Sequence, residues 1–549
     1  MRGTKLLVHG ICALAIISMC TTPLMARPDR SDGAGPTTPI EHVVVIFQEN
    51  VSFDHYFASY PNASGFVAQP GTPTVNGLTG ALLTNNPNAG NAKNVPAINP
   101  FLLDRSQAST CDQDHSYGDE QSAFDMGLMD LFPFSVGVGE SAFCLDQYSY
   151  GMGNAIVEGY FDGNTVTAMW NYAQNYALND NFYGTTFGPS TPGALNVIAG
   201  NTYPATLTGS STKVVNKTGN VGTIAGDLDP TGDVCSSATN ITMGGKNIGD
   251  LLNAAGLSWG SFMGGFDLTV TNPNGTTGCL RSSPATAAND TTHFPPQPGD
   301  MNFTEDYIPH HAWFQYFAST ANPTHARPNV PPSEYGTAAD TSANHEYDTH
   351  DFFDALNANN LPAVSYLKAP ANMDGHAGYS DPLLEQQFVV SVINAIQKSG
   401  FWDSTAVVIT WDDSDGWYDH QIGPIVNSSA VLQPTDAKDS DQLNGPGKCG
   451  NGTPLDGIEG RCGYGPRIPM LVISPYSKSN FVDHTLTDQS SIIHFIEDNW
   501  SLGRIGGGSY DAISGSIENM FDFTQKVNPG HRHQVFLDPM SGNVTGGHM

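Results

Sequence analysis

The chain has 549 residues, and its 53 acidic residues outnumber 21 Lys and Arg residues, giving a formal net charge of −32. A surface this negative lacks the basic footprint that phosphate-backbone binding requires, so the composition argues against nucleic acid as a structural partner. Hydrophobic residues make up 39% and aromatic residues 10% of the chain, which excludes a disordered acidic protein.

The first 26 residues have the organisation of an export signal. A positively charged start precedes an apolar stretch over residues 6–19, and the segment closes on the small residue Ala26. We therefore predict a signal peptide over residues 1–26 and a periplasmic or secreted mature protein. A lipoprotein anchored at Cys20 is the weaker alternative. No later stretch approaches the 18 or so apolar residues of a membrane span, so we predict no transmembrane segment.

Removing this signal leaves six of the eight cysteines. An even number in an exported chain, with no CxxC pair, favours disulfides over a zinc cluster. Local spacing suggests three pairs, each bracketing a loop-like stretch: Cys111 with Cys144, Cys235 with Cys279, and Cys449 with Cys462. Free buried thiols are the alternative.

The apolar runs of the mature chain alternate between strand-like and helix-like patterns. Short runs rich in β-branched residues predict buried strands over 40–47, 363–367, 406–411 and 470–474. Longer runs with helical periodicity predict helices over 248–255, 382–398 and 489–500. The alternation predicts an α/β fold with a central, mostly parallel β-sheet flanked by helices.

Three stretches rich in Gly, Pro and Asn separate these elements, at 61–110, 268–345 and 422–466. They are too long for ordinary connections between core elements. We predict a single domain over residues 27–549, with these stretches as insertions that line a site or cover the sheet edge.

Polar residues follow two of the predicted strands at the point where each ends. Glu49 and Asn50 come just after the first strand, and Asp412 and Asp413 directly follow the strand over 406–411. Ligands of parallel sheets bind beyond the carboxyl ends of strands, and two adjacent acids repel each other unless a cation or a shared proton relieves them. Four such oxygen ligands suit a hard or borderline metal. A solvated turn is the alternative for the acid pair.

Ser190 lies at the predicted start of a helix, in the segment FGPSTPGALNVIAG over residues 187–200. Free backbone N–H groups and the helix dipole favour an anion at such a position. The hydroxyl is either a helix N-cap or a nucleophile, and local sequence alone favours the N-cap. Four histidines add candidate acids, phosphate donors and ligands, although each alone reads as an ordinary histidine: His115, His310, His311 and His376.

Together these segments resemble one family, the bacterial phosphoesterases that include respiratory-burst-inhibiting acid phosphatases and phosphatidylcholine-type phospholipases C. The resemblance rests on six segments in family order: VVVIFQENVSFDHYF (43–57), QDHSYG (113–118), NFYGTTFGPSTPGALN (181–196), HAGYSDP (376–382), TWDDSDGWYDH (410–420) and the stretch 465–500. The family is similar in fold to alkaline phosphatase, which implies a central β-sheet between helices.

The resemblance also implies roles for the candidate residues. It implies one divalent metal ion held by four ligands: Glu49, Asn50, Asp412 and Asp413. It implies that Ser190 is the nucleophile that faces this metal. It implies a phosphate pocket lined by four histidines: His115, His310, His311 and His376. The reaction then passes through a phosphoserine, with His310 or His311 protonating the leaving oxygen, and an acidic optimum follows from the ordinary histidine pKa of about 6.5.

Two reactions compete within that family. Phospholipases C of the group tend to read Pro-Asn-Arg after the nucleophile and continue into C-terminal β-domains, whereas this chain reads Thr191-Pro192-Gly193 and stops at Met549. We therefore expect an exported, metal-dependent acid phosphatase acting on small phosphate monoesters. A phospholipase C that cleaves phosphatidylcholine-type phospholipids is the alternative. A non-catalytic exported metal- or phosphate-binding protein is the alternative of another class, and it would need a missing nucleophile or ligand.

Overall fold

A central sheet of eight strands organises the protein in the computed structural model, which describes residues 35–548 except 138, 140–141, 286–302, 434 and 526–532. The strands are β1 (His42–Gln48), β2 (Ala177–Asn179), β3 (Trp259–Met263), β4 (Glu346–Asp348), β5 (Val364–Lys368), β6 (Thr405–Trp411), β7 (Met470–Ile473) and β8 (Phe481–Asp483). Their spatial order is β4-β3-β5-β1-β6-β7-β2-β8.

The sheet is mostly parallel. Strand β1 pairs in parallel with β5 on one side and β6 on the other, while β7 runs antiparallel to both β6 and β2. The remaining neighbours, β3 with β4, β3 with β5 and β2 with β8, are parallel. The predicted α/β class with a mostly parallel sheet is therefore confirmed. Because Gln48 of β1 lies opposite Trp411 of β6, the residues that follow these two strands leave the sheet at the same edge.

We label eight helices among the described residues. They are α1 (Phe53–Phe57), α2 (Tyr117–Phe124), α3 (Thr167–Asn175), α4 (Ser190–Ala199), α5 (Ile248–Ala255), α6 (Thr349–Asn357), α7 (Pro382–Lys398) and α8 (Ser490–Trp500). Four further helices have four to six residues: Ala81–Thr84, Pro87–Gly90, Phe132–Ser135 and Ala142–Gln147.

Strand β1 shows how the core is built. All of its residues are buried. Val44 and Ile46 pack in the cluster that contains residues of α3 and α7, whereas Val43 and Val45 pack in the cluster that contains residues of α4 and α8. A strand buried on both faces has an almost continuous apolar sequence, which explains why the pattern located it to within two residues.

The sequence analysis did not anticipate a second sheet of five strands. Its strands are Ala205–Thr208, Val214–Thr218, Val221–Ile224, Asp229–Pro230 and Asn240–Met243. The other described strands are two to five residues long: Phe101–Leu102, Gly159–Tyr160, Phe182–Tyr183, Ser282–Pro284, Phe303–Glu305, Thr487–Asp488, Gln534–Leu537 and Val544–His548. In their described parts, the three predicted insertions contain short strands and helical turns rather than long elements.

Three disulfides join the predicted cysteine pairs: Cys111–Cys144, Cys235–Cys279 and Cys449–Cys462. The alternative of free thiols is wrong for these residues. The predicted signal peptide over residues 1–26 lies outside the described residues. None of the described helices combines the length and the apolar character needed to cross a membrane.

Candidate active site

The carboxyl ends of β1 and β6 bring the four predicted metal ligands together. The backbone N–H of Asn50 donates to Asp412 Oδ1 at 2.8 Å, and the backbone N–H of Asp413 donates to the same oxygen at 2.8 Å. Asn50 has a positive φ of 64°, a backbone region that asparagine tolerates better than most residues. This turn fixes Glu49 and Asn50 against the acids that follow β6.

Ser190 faces this group from the start of helix α4. It is the first residue of α4, and Pro189 is the N-cap, so the interpretation of Ser190 as an N-cap is wrong. Its Oγ donates to Glu49 Oε2 at 3.0 Å and lies 3.5 Å from Asp413 Oδ2. The hydroxyl is thus buried against two carboxylates instead of capping the helix.

Gly193 lets α4 approach so closely. A Cβ at this position would lie 2.8 Å from the carbonyl carbon of Asp412, a distance that real side chains do not reach. The missing side chain allows the first turn of α4 to rest on the backbone that follows β6. Gly193 therefore sets the distance between Ser190 and the acids.

Three oxygen atoms of the group are buried without a hydrogen-bond partner: Glu49 Oε1, Asn50 Oδ1 and Asp412 Oδ2. Of these, Glu49 Oε1 has an ion pair with Lys368. Burial and the charge of Asp412 raise the pKa of Asp413 well above its ordinary value. Buried polar atoms without partners cost free energy, and a divalent cation between them would remove that cost. Carboxylate and amide oxygens are ligands that hard cations prefer. The residues present therefore fit the implied metal ion.

Lys368 is a functional candidate that the sequence analysis missed. It is the last residue of β5, it is buried, and its Nζ forms an ion pair with Glu49 Oε1. Burial lowers the pKa of Lys368, and the nearby carboxylates of Asp412 and Asp374 oppose that shift. The signal was available, because Lys368 directly follows the predicted strand 363–367 and so occupies the same kind of strand end as Glu49.

His310 and His311 approach the group from a short helical turn at Pro309–His311. His311 Nδ1 lies 3.1 Å from Glu49 Oε1. Burial and the neighbouring His310 lower the pKa of His311 well below its ordinary value, so this imidazole is suited to accept a hydrogen bond or bind a metal. The His310 ring lies 4.5 Å from the His311 ring, and its side chain is 30% exposed. Of the two, His310 is better placed to exchange a proton with solvent.

His115 and His376 lie together on another side of Asn50. Their ring centroids are 6.2 Å apart, and His115 Nε2 lies 3.5 Å from Asn50 Nδ2. Burial lowers the pKa of His115, but the carboxylates of Asp413, Asp112 and Asp415 outweigh it and hold the pKa well above its ordinary value. Burial lowers the pKa of His376. A protonated His115 beside Asn50 and the acids is suited to donate to a phosphoryl oxygen.

The structure thus collects the predicted site residues at one edge of the sheet. Direct contacts join six of them: Glu49, Asn50, Asp412, Asp413, Ser190 and His311. His115 contacts Asn50, while His376 and His310 join through the neighbouring histidine rings. Their catalytic roles stay predictions. Asp415, which accepts from Asn50 Nδ2 at 3.0 Å, was also missed, although it stands in the same DDSD segment as the predicted ligands.

The chain is similar to a known protein family, to named enzymes and to a solved structure. The family model described as "Phosphoesterase family" matches residues 40–503. The chain is 24% identical over 510 residues to the non-hemolytic phospholipase C of Pseudomonas aeruginosa, covering 90% of this chain and 59% of that protein. It is 22% identical over 518 residues to phospholipase C B of Mycobacterium tuberculosis, covering 91% of this chain and 82% of that protein. A solved protein of the alkaline phosphatase superfamily from Vibrio parahaemolyticus aligns over 62% of each chain with 11% identity and a TM-score of 0.27.

Proposed function

Because the chain belongs to the Phosphoesterase family, we propose that it is an exported, metal-dependent hydrolase of phosphate monoesters that works through a phosphoserine. The observation that carries the proposal is the position of Ser190, whose hydroxyl donates to Glu49 beside two unpaired ligand atoms. A serine hydroxyl aimed at a metal-binding group is the arrangement that an activated nucleophile needs. The three disulfides support export, since disulfides persist in oxidising compartments.

The residues of the chain divide the chemistry between them. A divalent ion held by the strand-end ligands would supply positive charge for the Ser190 alkoxide and the transferring phosphoryl group. Glu49 Oε2 accepts the hydrogen bond of the Ser190 hydroxyl and takes its proton as the serine oxygen attacks phosphorus. The start of α4 points its dipole at the phosphoryl oxygens. His115 donates to a non-bridging oxygen, and His310 protonates the departing oxygen. Water then hydrolyses the phosphoserine.

A cavity beside the nucleophile supports a small leaving group. It has a volume of about 250 Å³ and is lined in part by His115 and Pro189. Pockets for drug-sized ligands span roughly 300–1,000 Å³, so this one suits a group smaller than a diacylglycerol. Its described lining residues include no Phe, Tyr or Trp, whereas choline recognition favours a cage of such side chains.

A phospholipase C acting on phosphodiesters is the second candidate. The observation that favours it is the match of about nine-tenths of the chain to two proteins named phospholipase C. The two candidates differ in the leaving group that they accept. We therefore compare p-nitrophenyl phosphate with p-nitrophenylphosphorylcholine between about pH 5 and pH 8, a range that brackets the ordinary histidine pKa. We expect a larger kcat/KM for the monoester on the acidic side of neutrality.

Ser190→Ala provides the blank for this assay. We expect it to lower turnover by more than about a thousandfold, since it removes the nucleophile, and to leave the melting temperature unchanged. Ser490→Ala is the matched control, because Ser490 is also the buried first residue of a helix and donates to a carboxylate, Asp488 Oδ2, at 2.7 Å.

Three outcomes would count against the proposal. A kcat/KM about tenfold larger for the choline diester, equivalent to about 1.4 kcal/mol, would establish the phospholipase C instead. Equal turnover in Ser190→Ala and in the unaltered protein would remove Ser190 from the mechanism. No turnover above a protein-free control on either substrate would favour a non-catalytic binding protein.

A further inference from the structure

The cavity beside the nucleophile has walls that combine cations and carboxylates. Lys213 and Lys438 line it together with three acids: Asp114, Asp227 and Asp439. The side chains of Asp114 and Asp439 are themselves buried. Such walls offer both hydrogen-bond donors and acceptors within reach of a group bound at Ser190.

Lys213 is laid along the cavity wall. Its Nζ donates to the carbonyl oxygen of Asp227 at 3.1 Å. Its stem crosses Gly226, where an added Cβ would lie 2.9 Å from Lys213 Cγ. The glycine makes room for the lysine, and an ammonium has three hydrogens to donate. Two of them stay available for a ligand after the bond to Asp227.

The acids tie this wall to the catalytic helix. Asp227 Oδ1 accepts from the backbone N–H of Thr191 at 2.9 Å, one residue beyond the nucleophile. Asp114 forms an ion pair with Lys438, which also lines the cavity. Because Asp227 bonds directly to the first turn of α4, the cavity adjoins the turn that carries Ser190.

We propose that this cavity is the leaving-group subsite and that it binds the polyol part of a sugar phosphate or related polyol phosphate. The proposal rests on the proposed phosphomonoesterase function. A polyol hydroxyl both donates and accepts, so it matches walls where carboxylates accept and ammonium groups donate. The three carboxylates outnumber the two ammonium groups, so the walls disfavour a second phosphate group. A nucleobase favours stacking on aromatic side chains, whereas the described lining residues include no Phe, Tyr or Trp, and the imidazole of His115 is their one aromatic ring.

The kinetic test compares glucose 6-phosphate, a polyol ester, with p-nitrophenyl phosphate, whose leaving group has no hydroxyl besides the one that forms. Lys213→Met should lower kcat/KM for glucose 6-phosphate by about tenfold and that for p-nitrophenyl phosphate by less than about twofold. Gly226→Ala should also lower kcat/KM for glucose 6-phosphate more than kcat/KM for p-nitrophenyl phosphate, because the new methyl group displaces the stem of Lys213. Lys217→Met is the matched control, since Lys217 is an exposed lysine of the same hairpin that donates to Ser211 O and does not line the cavity.

A binding test separates this inference from the proposed function. Glucose 6-phosphate and inorganic phosphate are titrated into Ser190→Ala by calorimetry, with and without Lys213→Met. We expect Lys213→Met to weaken the affinity for glucose 6-phosphate by about tenfold and the affinity for inorganic phosphate by less than about twofold. If the unaltered protein hydrolyses no monoester, the proposed function fails and this titration still decides the role of the cavity.

The inference is overturned by any of three results. The first is a Lys213→Met variant in which kcat/KM and affinity change for neither ligand, or change equally for both. The second is a Lys217→Met variant with the same effect as Lys213→Met. The third is a kcat/KM for fructose 1,6-bisphosphate about tenfold above that for glucose 6-phosphate, which would make the cavity a site for a second anion.

Discussion

Two groups of buried acids stand side by side beyond the same two strands, and they are neutralised differently. The arginine-paired group consists of Asp54 and Asp419, which lie a few residues beyond the ends of β1 and β6. Arg467 contacts both acids: Nη2 lies 3.0 Å from Asp54 Oδ1, and Nε lies 3.1 Å from Asp419 Oδ2. His420 Nδ1 lies 2.6 Å from the other Asp54 oxygen. These acids have their cations within the chain.

The second group consists of Glu49, Asp412 and Asp413. Lys368 pairs with Glu49, but Asp412 Oδ2 has no hydrogen-bond partner. Buried acids alone therefore do not mark a ligand site in this protein. The feature that distinguishes a ligand site is a lack of cationic side chains beside the acids. The carboxylate oxygens then stay unpaired and can bind an external ion.

The largest effect should come from Asp412→Asn. Removing this charge should abolish metal binding and lower p-nitrophenyl phosphate turnover by more than about a thousandfold, which is more than about 4 kcal/mol. Elemental analysis of the purified variant measures the metal, where the unaltered protein should hold one divalent ion per chain. Asp419→Asn is the control from the arginine-paired group, and it should retain the metal. A fully active Asp412→Asn protein with its metal intact would contradict the comparison.

Arg467→Met should break the arginine-paired group. It leaves Asp54 and Asp419 buried without their common partner, and breaking a buried pair from one side costs about 3–5 kcal/mol. Denaturant unfolding measures the loss, and the protein that remains folded should keep its metal. Lys246→Met, at an exposed lysine, is the control and should change the free energy of unfolding by less than about 0.5 kcal/mol. If Arg467→Met released the metal while leaving stability intact, the two groups would not be separate.

Glu158 is a further buried acid outside the two groups, and neither of its carboxylate oxygens has a hydrogen-bond partner. Burial and the charge of Asp54 raise its pKa well above the ordinary value of 4.5. The folded state therefore holds a proton that the unfolded state releases above about pH 4.5, so stability is lost as the pH rises from there to the folded-state pKa. Glu158→Gln removes this loss.

We expect Glu158→Gln to unfold with a free energy more than about 1.4 kcal/mol above that of the unaltered protein near pH 7, the equivalent of one pKa unit. Near pH 4 the two proteins should differ little, because both states then hold the proton. Unfolding curves at the two pH values check this. Glu334→Gln, at an exposed position, provides the baseline. An advantage that grew toward acid pH would show that Glu158 is ionised in the folded protein.

The sequence was sufficient to predict the parts of the site that depend on local pattern. Strands β1 and β6 are continuous apolar runs, and the rule that ligands bind at strand ends then places Glu49 near Asp412. The same rule extends to Lys368, whose buried ammonium is a cation at a strand end and not one of the acids that mark the metal ligands. The spacing of cysteines around loops was also enough to predict the three disulfides.

Other features depend on contacts between distant segments, which local pattern does not contain. The sequence does not show that Arg467 reaches Asp54, more than four hundred residues earlier. Nor does it separate the acids that Arg467 neutralises from those that remain unpaired. The second sheet escaped prediction because its strands are two to five residues long, too short for a clear alternation.

Gly193 has a consequence for how this enzyme can change. Because the backbone after β6 occupies the space of a side chain at this position, any replacement displaces Ser190, the proposed nucleophile. Laboratory evolution can therefore vary the cavity walls, where we propose that Lys213 contacts the leaving group, while residue 193 stays fixed. Residues of the cavity wall can therefore be replaced to change the substrate, whereas replacing Gly193 would change the position of Ser190.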